Sequence, residues 1–184
     1  MADETLKGIR VLMIIAPEDF RDEELLEPKE LLTKAGAQVS VASTQAGEAS
    51  GMLGAKVTPD SVVTGLNASD YHAVVVVGGM GSPTHLWNNP KVLQLLQETN
   101  SEGRVVGAIC LSSAVLANAG VLNGKTATVY ATDASLAALS AGGAHYSKEH
   151  VVHDGNVVTA DGPEAASDFG NTLVRALRAL AVTK

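Results

Sequence analysis

Residues 105–114 read Val-Val-Gly-Ala-Ile-Cys-Leu-Ser-Ser-Ala and contain the only cysteine of the chain, Cys110. The residues before Cys110 are apolar and partly β-branched, which favours a buried strand. The residues after it are small and compatible with a helix. Cys110 is therefore predicted to lie where a strand turns sharply into a helix, an arrangement that projects one side chain beyond the end of the strand.

A cysteine at such a turn has two interpretations. The unpaired N–H groups and the dipole at the start of a helix favour an anion, so we expect the thiol pKa to fall below its usual value of about 8.5 and the thiolate to form at neutral pH. A buried structural cysteine behaves instead as a small hydrophobic residue. The abrupt change from strand to helix favours the reactive thiol.

The composition indicates a globular protein. Of the 184 residues, 46% are hydrophobic and 18% are charged, which is enough for a hydrophobic core, and we expect one domain over residues 1–184. The formal net charge of -7 disfavours binding to nucleic acid or to anionic membranes. A single cysteine excludes an internal disulfide and fits a reducing compartment. Residues 1–7 lack the apolar core of a signal peptide, and no apolar run reaches the roughly 20 residues of a membrane span, so the sequence predicts a cytoplasmic protein.

Predicted strands and helices alternate along the chain. Strands are predicted at residues 9–15, 38–43, 73–77, 104–109 and 126–130, with a peripheral strand at 56–63 and a hairpin of 151–153 with 156–160. Helices are predicted at 22–35, 90–100, 112–119, 135–140 and 163–180. Several strands are apolar on both faces, which indicates an α/β fold with a mainly parallel sheet covered on both sides. Ligands bind such sheets beyond the carboxyl ends of the strands, where residues 16–24, 78–85 and 110–113 are expected to meet.

The segment after the first strand is acidic, and one of its carboxyl groups is expected to face inward. Asp22 is predicted to cap the following helix. Pro28 cannot donate a hydrogen bond to the carbonyl of Glu24, which loosens the turn that carries Glu24. A carboxyl buried beside a thiolate has a raised pKa and acts as a proton donor to sulfur. The alternative is a fully solvated segment, because acidic residues are common in the first turn of a helix.

Other polar groups offer weaker signals. Residues 78–81, Gly-Gly-Met-Gly, follow a buried strand and present backbone N–H groups. Together with the N–H of Leu111 these groups would form an oxyanion hole, although an ordinary tight turn is the simpler interpretation.

His150 and His153 are three residues apart on a predicted strand and face opposite sides, so they do not predict a metal site. His85 follows the glycine loop and is within reach of the site from there. Ser112 and Ser113 are expected to cap a helix.

Taken together, these segments resemble the ThiJ/PfpI superfamily. The resemblance extends from about Ile9 to Leu180 and is carried by residues 20–25 with Pro28, 76–79, 108–110, 119–125 and 154–156. The ordered set is specific for the family and less so for one activity. The resemblance implies a flavodoxin-like three-layer sandwich with a nucleophile-elbow cysteine, usually assembled as a homodimer or larger.

The family pattern implies roles for four residues of the chain. Cys110 is the nucleophile or redox centre, and Glu24 hydrogen-bonds its sulfur. The backbone N–H groups of Gly79 and Leu111 stabilise an oxyanion.

The sequence departs from that pattern at three places. The protease-like branch has a histidine directly after the cysteine and an acid in the loop after the double glycine. This chain has Leu111 and residues 82–85, Ser-Pro-Thr-His, so a Cys-His-Glu peptidase site is not supported. The deglycase-like branch has a histidine near residues 129–130, where Tyr130 is the residue expected to stand in as a hydrogen-bond donor, with His85 as the other candidate.

The sequence thus predicts a cysteine-dependent enzyme that acts on small reactive carbonyls, with no metal or organic cofactor. The thiolate of Cys110 attacks an aldehyde carbon and Glu24 moves protons. An oxidant-sensing stress protein whose Cys110 becomes a sulfinate is the first alternative. An isocyanide-hydratase-like or other small-molecule hydrolase is the second, and a structural relative with no activity is the third.

Overall fold

The computed structural model describes residues 4–182. Its strands are β1 (Arg10–Ile15), β2 (Glu18–Phe20), β3 (Gln38–Ser43), β4 (Ala49–Gly51), β5 (Lys56–Val57), β6 (Ser61–Val62), β7 (Ala73–Val76), β8 (Val105–Ile109), β9 (Thr126–Ala127), β10 (His145–Tyr146), β11 (Val151–Asp154) and β12 (Val157–Ala160). Its α-helices are α1 (Asp22–Lys34), α2 (Ser82–His85), α3 (Pro90–Ser101), α4 (Ser113–Asn118), α5 (Asp133–Ala141) and α6 (Ala166–Val182).

The central sheet has seven strands in the order β11-β12-β8-β7-β1-β3-β6. Every neighbouring pair is parallel except β11 with β12, which form the predicted antiparallel hairpin. β7 and β8 are neighbours, so the glycine loop after β7 and the cysteine after β8 emerge side by side at one edge. The predicted mainly parallel α/β fold is confirmed.

The central strands of the sheet are buried on both faces, which explains why β1, β7 and β8 show no polar alternation. In β1, Val11, Met13 and Ile15 pack on one side, against residues of α1 and α6 that include Leu25, Leu32, Phe169 and Leu173. Leu12 and Ile14 pack on the other side, against residues of α3 and α4 that include Val92, Leu95, Val115 and Leu116. The result is the predicted three-layer sandwich.

Several predicted bounds differ from the structure. The peripheral strand at 56–63 is two short strands, of which β6 joins the main sheet and β5 joins β2 and β4 in a separate three-stranded sheet. The strand at 126–130 ends at Ala127, and the last helix begins at Ala166, after a 3-10 turn over Pro163–Ala165. Within residues 4–182, the helices are all too short or too polar to cross a lipid bilayer.

The prediction that Asp22 caps α1 is wrong. Arg21 occupies the capping position without a side-chain bond, and Asp22 is the first residue of the helix. The buried Asp22 carboxylate instead accepts hydrogen bonds from the N–H groups of Leu53, at 2.9 Å, and Ala55, at 2.8 Å. Each oxygen of the carboxylate accepts one of these backbone N–H groups, and bonds to a charged acceptor are strong. The two bonds fix the turn after β4 beside the start of α1.

Candidate active site

Cys110 begins a short 3-10 turn, Cys110–Ser112, that joins β8 to α4. Its φ of 62° lies in the left-handed region, which residues other than glycine rarely adopt. The residue is 7% exposed and lines a cavity of about 240 Å³. The predicted elbow between strand and helix is therefore confirmed.

Two buried hydroxyl groups hold the elbow against the end of β7. The Ser112 hydroxyl donates to the Val77 carbonyl at 2.6 Å, and the Ser82 hydroxyl, 2.7 Å away, donates to Ser112 Oγ because the single proton of Ser112 is already used. Trp87 Nε1 donates to the Leu111 carbonyl at 3.0 Å. Ser112 occupies the N-cap position of α4, as predicted, but its side chain makes no capping bond. The prediction that Ser113 caps the helix is wrong, because Ser113 is the first residue of α4.

Glu24 is fully buried and faces Cys110, as expected for the inward carboxyl of the acidic segment. Its carboxyl packs against Gly78: a methyl group built on Gly78 would come within 2.5 Å of Glu24 Oε1 and 2.6 Å of Cys110 Cβ. Among residues 4–182, neither Glu24 oxygen has a hydrogen-bond partner of good geometry. An unsatisfied buried carboxyl next to a thiol is costly unless it is protonated.

Burial sets the protonation of both groups. It raises the pKa of the Glu24 carboxyl to about 8, so Glu24 carries its proton at pH 7. Burial first, and then the charge of an ionised Glu24, raise the pKa of the Cys110 thiol to about 12, while the N–H groups of Leu111 and Gly79 lower it. The expected fall of the thiol pKa below 8.5 is therefore wrong, because removal from water outweighs the nearby donors.

We predict that the wild-type protein loses stability as pH rises from about 4.5 to about 8. The pKa of Glu24 is 4.5 when unperturbed and about 8 when folded. The protonated form is thus favoured by the fold, and its contribution is complete below pH 4.5 and lost as pH passes 8. Glu24→Gln removes this loss, which we expect to amount to roughly 2–4 kcal/mol.

Urea unfolding of both proteins at pH 5, 7 and 9 measures the effect. Glu27→Gln, on the same helix but partly exposed, is the matched control and should keep the wild-type pH dependence. Equal pH dependence in wild type and Glu24→Gln would contradict the assignment of the raised pKa to Glu24.

The two backbone groups predicted as oxyanion donors lie next to the sulfur. The N–H groups of Gly79 and Leu111 both interact with the Cys110 thiol, and both residues line the same cavity. Gly79 has a φ of 114°, and a side chain there would meet the backbone of residues 19–21. Only glycine allows the loop to approach so closely.

The structure brings Tyr130 to the cavity but not His85. Tyr130 is 52% exposed, lines the cavity with Cys110, and donates its backbone N–H to the Cys110 carbonyl at 3.2 Å. His85 lies on α2 with its Nε2 3.1 Å from Glu18 Oε1, and it is outside the cavity lining. Ser82 at the start of α2 contacts the Cys110–Ser112 turn, whereas the His85 side chain at the end of α2 is directed to Glu18 instead of the cavity.

The sequence interpretation gave no role to four residues that line the cavity: Arg21, Met52, Met80 and Pro163. Arg21 directly precedes the acidic residues 22–24 at the start of α1. This single positive charge before three acidic residues was the signal in the sequence that could have indicated Arg21. Met52 reaches the cavity because Asp22 anchors its turn, and no local pattern indicates that contact. Within the described chain, no three His, Cys, Asp or Glu side chains are grouped as metal ligands.

Comparison with known proteins assigns the family. The model of the DJ-1/PfpI family matches residues 9–176. The chain belongs to the DJ-1/PfpI family. A ThiJ/PfpI domain protein from Brachyspira murdochii has a crystal structure that superposes with a TM-score of 0.88 at 32% identity, over 94% of this chain and 98% of that one. An uncharacterized protein of Methanocaldococcus jannaschii is 48% identical over 174 residues, 95% of this chain and 85% of that protein.

Two further relatives have names that state an activity. Deglycase PfpI of Pyrococcus furiosus is 30% identical over 154 residues, which cover 83% of this chain and 90% of that protein. Glutathione-independent glyoxalase DJR-1.2 of Caenorhabditis elegans is 26% identical over 166 residues, which cover 90% of this chain and 87% of that protein.

Proposed function

We propose that this protein is a cofactor-independent, cysteine-dependent enzyme that acts on small reactive carbonyls and converts 2-oxoaldehydes to 2-hydroxy acids. The observation that carries the proposal is the grouping of the Cys110 thiol with two backbone N–H donors, of Gly79 and Leu111, on the wall of one cavity, and of the buried Glu24 carboxyl beside that sulfur. The deglycase and glyoxalase names of two relatives support the same substrate class.

The reactive state is the Cys110–Glu24 pair after loss of one proton. The proton that remains is shared between the carboxyl and the sulfur, and the N–H groups of Gly79 and Leu111 favour the charge on sulfur. The sulfur then adds to the aldehyde carbon: an S–C bond forms, and the carbonyl π pair moves to oxygen, where the two N–H groups stabilise it. Glu24 gives its proton to that oxygen and yields a hemithioacetal.

The rearrangement needs no external oxidant. The Glu24 carboxylate removes the hydrogen on C1 as a proton, the electron pair of that C–H bond forms the C1=C2 double bond, and the π pair of the C2 carbonyl moves to the C2 oxygen to give an enediolate. Glu24 then returns its proton to C2, while the C1 hydroxyl passes its proton to the C2 oxygen and its O–H electron pair forms the C1 carbonyl. C1 is thereby oxidised to a thioester and C2 is reduced to an alcohol. Water then adds to the thioester carbon, the C–S bond breaks, and the 2-hydroxy acid leaves with Cys110 restored as a thiol. Tyr130, on the cavity wall, hydrogen-bonds the C2 oxygen.

Methylglyoxal in deuterated water tests the reaction. We expect the protein to form lactate with one carbon-bound deuterium at C2, since Glu24 exchanges its proton with solvent before returning it. Chromatography and mass spectrometry of the product measure both yield and label. Heat-denatured protein is the control, and lactate formation no faster than in that control would overturn the proposed function.

Oxidant sensing is a second candidate, and one observation favours it. The N–H groups of Gly79 and Leu111 already face the sulfur in the free protein, and the protonated Glu24 lies beside it. The same donors would stabilise the oxygens of a cysteine sulfinate. Each of two peroxide molecules would transfer one oxygen atom to sulfur and leave as water.

A further inference from the structure

Arg21 forms the charged wall of the Cys110 cavity. Its Nε donates to Glu23 Oε2 at 2.7 Å and its Nη2 donates to Glu23 Oε1 at 3.3 Å. Its backbone N–H donates to the Gly78 carbonyl at 2.9 Å, which joins the start of α1 to the glycine loop. The guanidinium group is therefore held in place, with its side chain 28% exposed.

The charge on the cavity wall favours an anion, since Arg21 lines the cavity and the Glu23 carboxylate that pairs with it does not. Of the residues between 4 and 182 that line it, Arg21 is the one that carries a full charge at neutral pH. Arg21 is close enough for its charge to interact with both Glu24 and Cys110. Two N–H donors, from Gly79 and Leu111, lie at the same sulfur. The nearby Glu24 carboxyl is buried and has no hydrogen-bond partner within the described chain, so it offers the site a proton rather than a competing charge.

We propose that Arg21 determines specificity by selecting carbonyl compounds that carry a carboxylate, so that the substrate class is 2-oxoaldehydes with an acidic tail. The bonds to Glu23 use Nε and one N–H of Nη2. The two N–H groups of Nη1 and the second N–H of Nη2 remain as donors, and a pair of such donors on neighbouring nitrogens binds a carboxylate strongly. The identity of the reaction rests on the proposed function. The recognition of an anion by Arg21 does not.

Alkylation of Cys110 measures that recognition without any turnover. Iodoacetate and iodoacetamide react by the same step, in which sulfur bonds to the methylene carbon and iodide leaves with its electron pair, and they differ in charge. The ratio of their rate constants therefore cancels changes in the reactivity of the sulfur. Relative to wild type, we expect Arg21→Gln to lower the iodoacetate-to-iodoacetamide ratio by about fivefold or more, as for the loss of one close ionic contact.

Three further variants fix the interpretation. Arg21→Lys keeps the charge and should keep most of the ratio, which a merely structural role would not predict. Glu23→Gln removes the neighbouring negative charge, retains an acceptor for the guanidinium, and should leave the ratio equal or higher. Lys34→Gln removes one positive charge from the far end of α1, about 18 Å away, and should leave the ratio unchanged. A ratio within about twofold of wild type in Arg21→Gln, or a fall in Glu23→Gln, would overturn the role of Arg21.

The substrate preference is measured with 4,5-dioxopentanoate against methylglyoxal. We expect wild type to have the higher kcat/KM for the carboxylated aldehyde, and Arg21→Gln to lose about tenfold of that preference. A preference retained by Arg21→Gln counts against the proposal. If neither aldehyde reacts, the proposed function fails, and the alkylation ratio still decides whether Arg21 selects anions.

Discussion

Cys110→Ser is expected to lower the turnover of methylglyoxal by at least about a thousandfold, because a serine hydroxyl is a far weaker nucleophile than a thiol unless a dedicated base activates it. Glu24 is mainly protonated at pH 7, and its carboxylate is too weak a base to activate a serine hydroxyl, which holds its proton far more tightly than a thiol does. Serine fits the position, since the side chain loses only the larger radius of sulfur and the elbow is held by Ser112 and Trp87. The loss thus reflects chemistry and not misfolding.

Lactate formation by wild type and variant measures this effect. Ser113→Ala is the matched control, because the buried hydroxyl of Ser113 has no hydrogen-bond partner among the described residues. Its removal should not lower the free energy of unfolding and should leave turnover within about twofold of wild type. Cys110→Ser with more than about a tenth of wild-type turnover would exclude Cys110 as the nucleophile.

The same pair of proteins separates the enzyme from the sensor. Mild peroxide followed by peptide mapping should add two oxygen atoms to the peptide with Cys110 in wild type and none in the serine variant. Mapping is needed because Met80 is 64% exposed and can take up oxygen independently. Clean sulfinate formation without any carbonyl turnover would favour the sensor.

The parts of the fold set by local pattern were predictable from the sequence. β1, β7 and β8 are apolar on both faces, which gave the parallel sheet, and the change of pattern at Cys110 gave the elbow. The acidic helix start indicated one inward carboxyl, and the family resemblance, through the spacing from Pro28, assigned it to Glu24. These signals depend on neighbours within a few residues.

The remaining features depend on contacts between distant segments. Asp22 lies at a helix start, which suggests a cap, but it bonds to residues 53 and 55 because a hairpin from elsewhere is packed on it. The thiol pKa was predicted in the wrong direction because the helix start was visible in the sequence, whereas the depth of burial was not. His85 follows the glycine loop directly, yet the loop reverses and places it against Glu18.

Gly78→Ala is expected to destabilise the protein by about 4 kcal/mol or more and to eliminate the site. The added methyl group would lie 2.5 Å from Glu24 Oε1, 2.6 Å from Cys110 Cβ and 2.6 Å from the Ile109 carbonyl oxygen. Two of these three atoms belong to β8 and the elbow, where neither can rotate away. The clash can therefore be relieved only if β7 and β8 move apart at their carboxyl ends, where the site lies.

Two other glycine substitutions make the cause of this loss testable. Gly65→Ala places its methyl group in open space. The methyl group of Gly107→Ala lies close to two side-chain ends, Leu173 Cδ2 at 3.1 Å and Phe169 Cζ at 3.3 Å, and in ordinary contact with the Val158 carbonyl oxygen at 3.5 Å. Urea unfolding should therefore rank the losses in the order Gly65, Gly107, Gly78, with Gly65→Ala within about 0.5 kcal/mol of wild type. Glu24→Ala in the Gly78→Ala background removes one of the three clashes. Relative to the single variant Glu24→Ala, the double variant should still be less stable, because the two clashes with Cys110 and Ile109 remain. Full recovery would show that the carboxyl alone opposes the methyl group, and that β7 and the elbow are less rigidly joined than their hydrogen bonds imply.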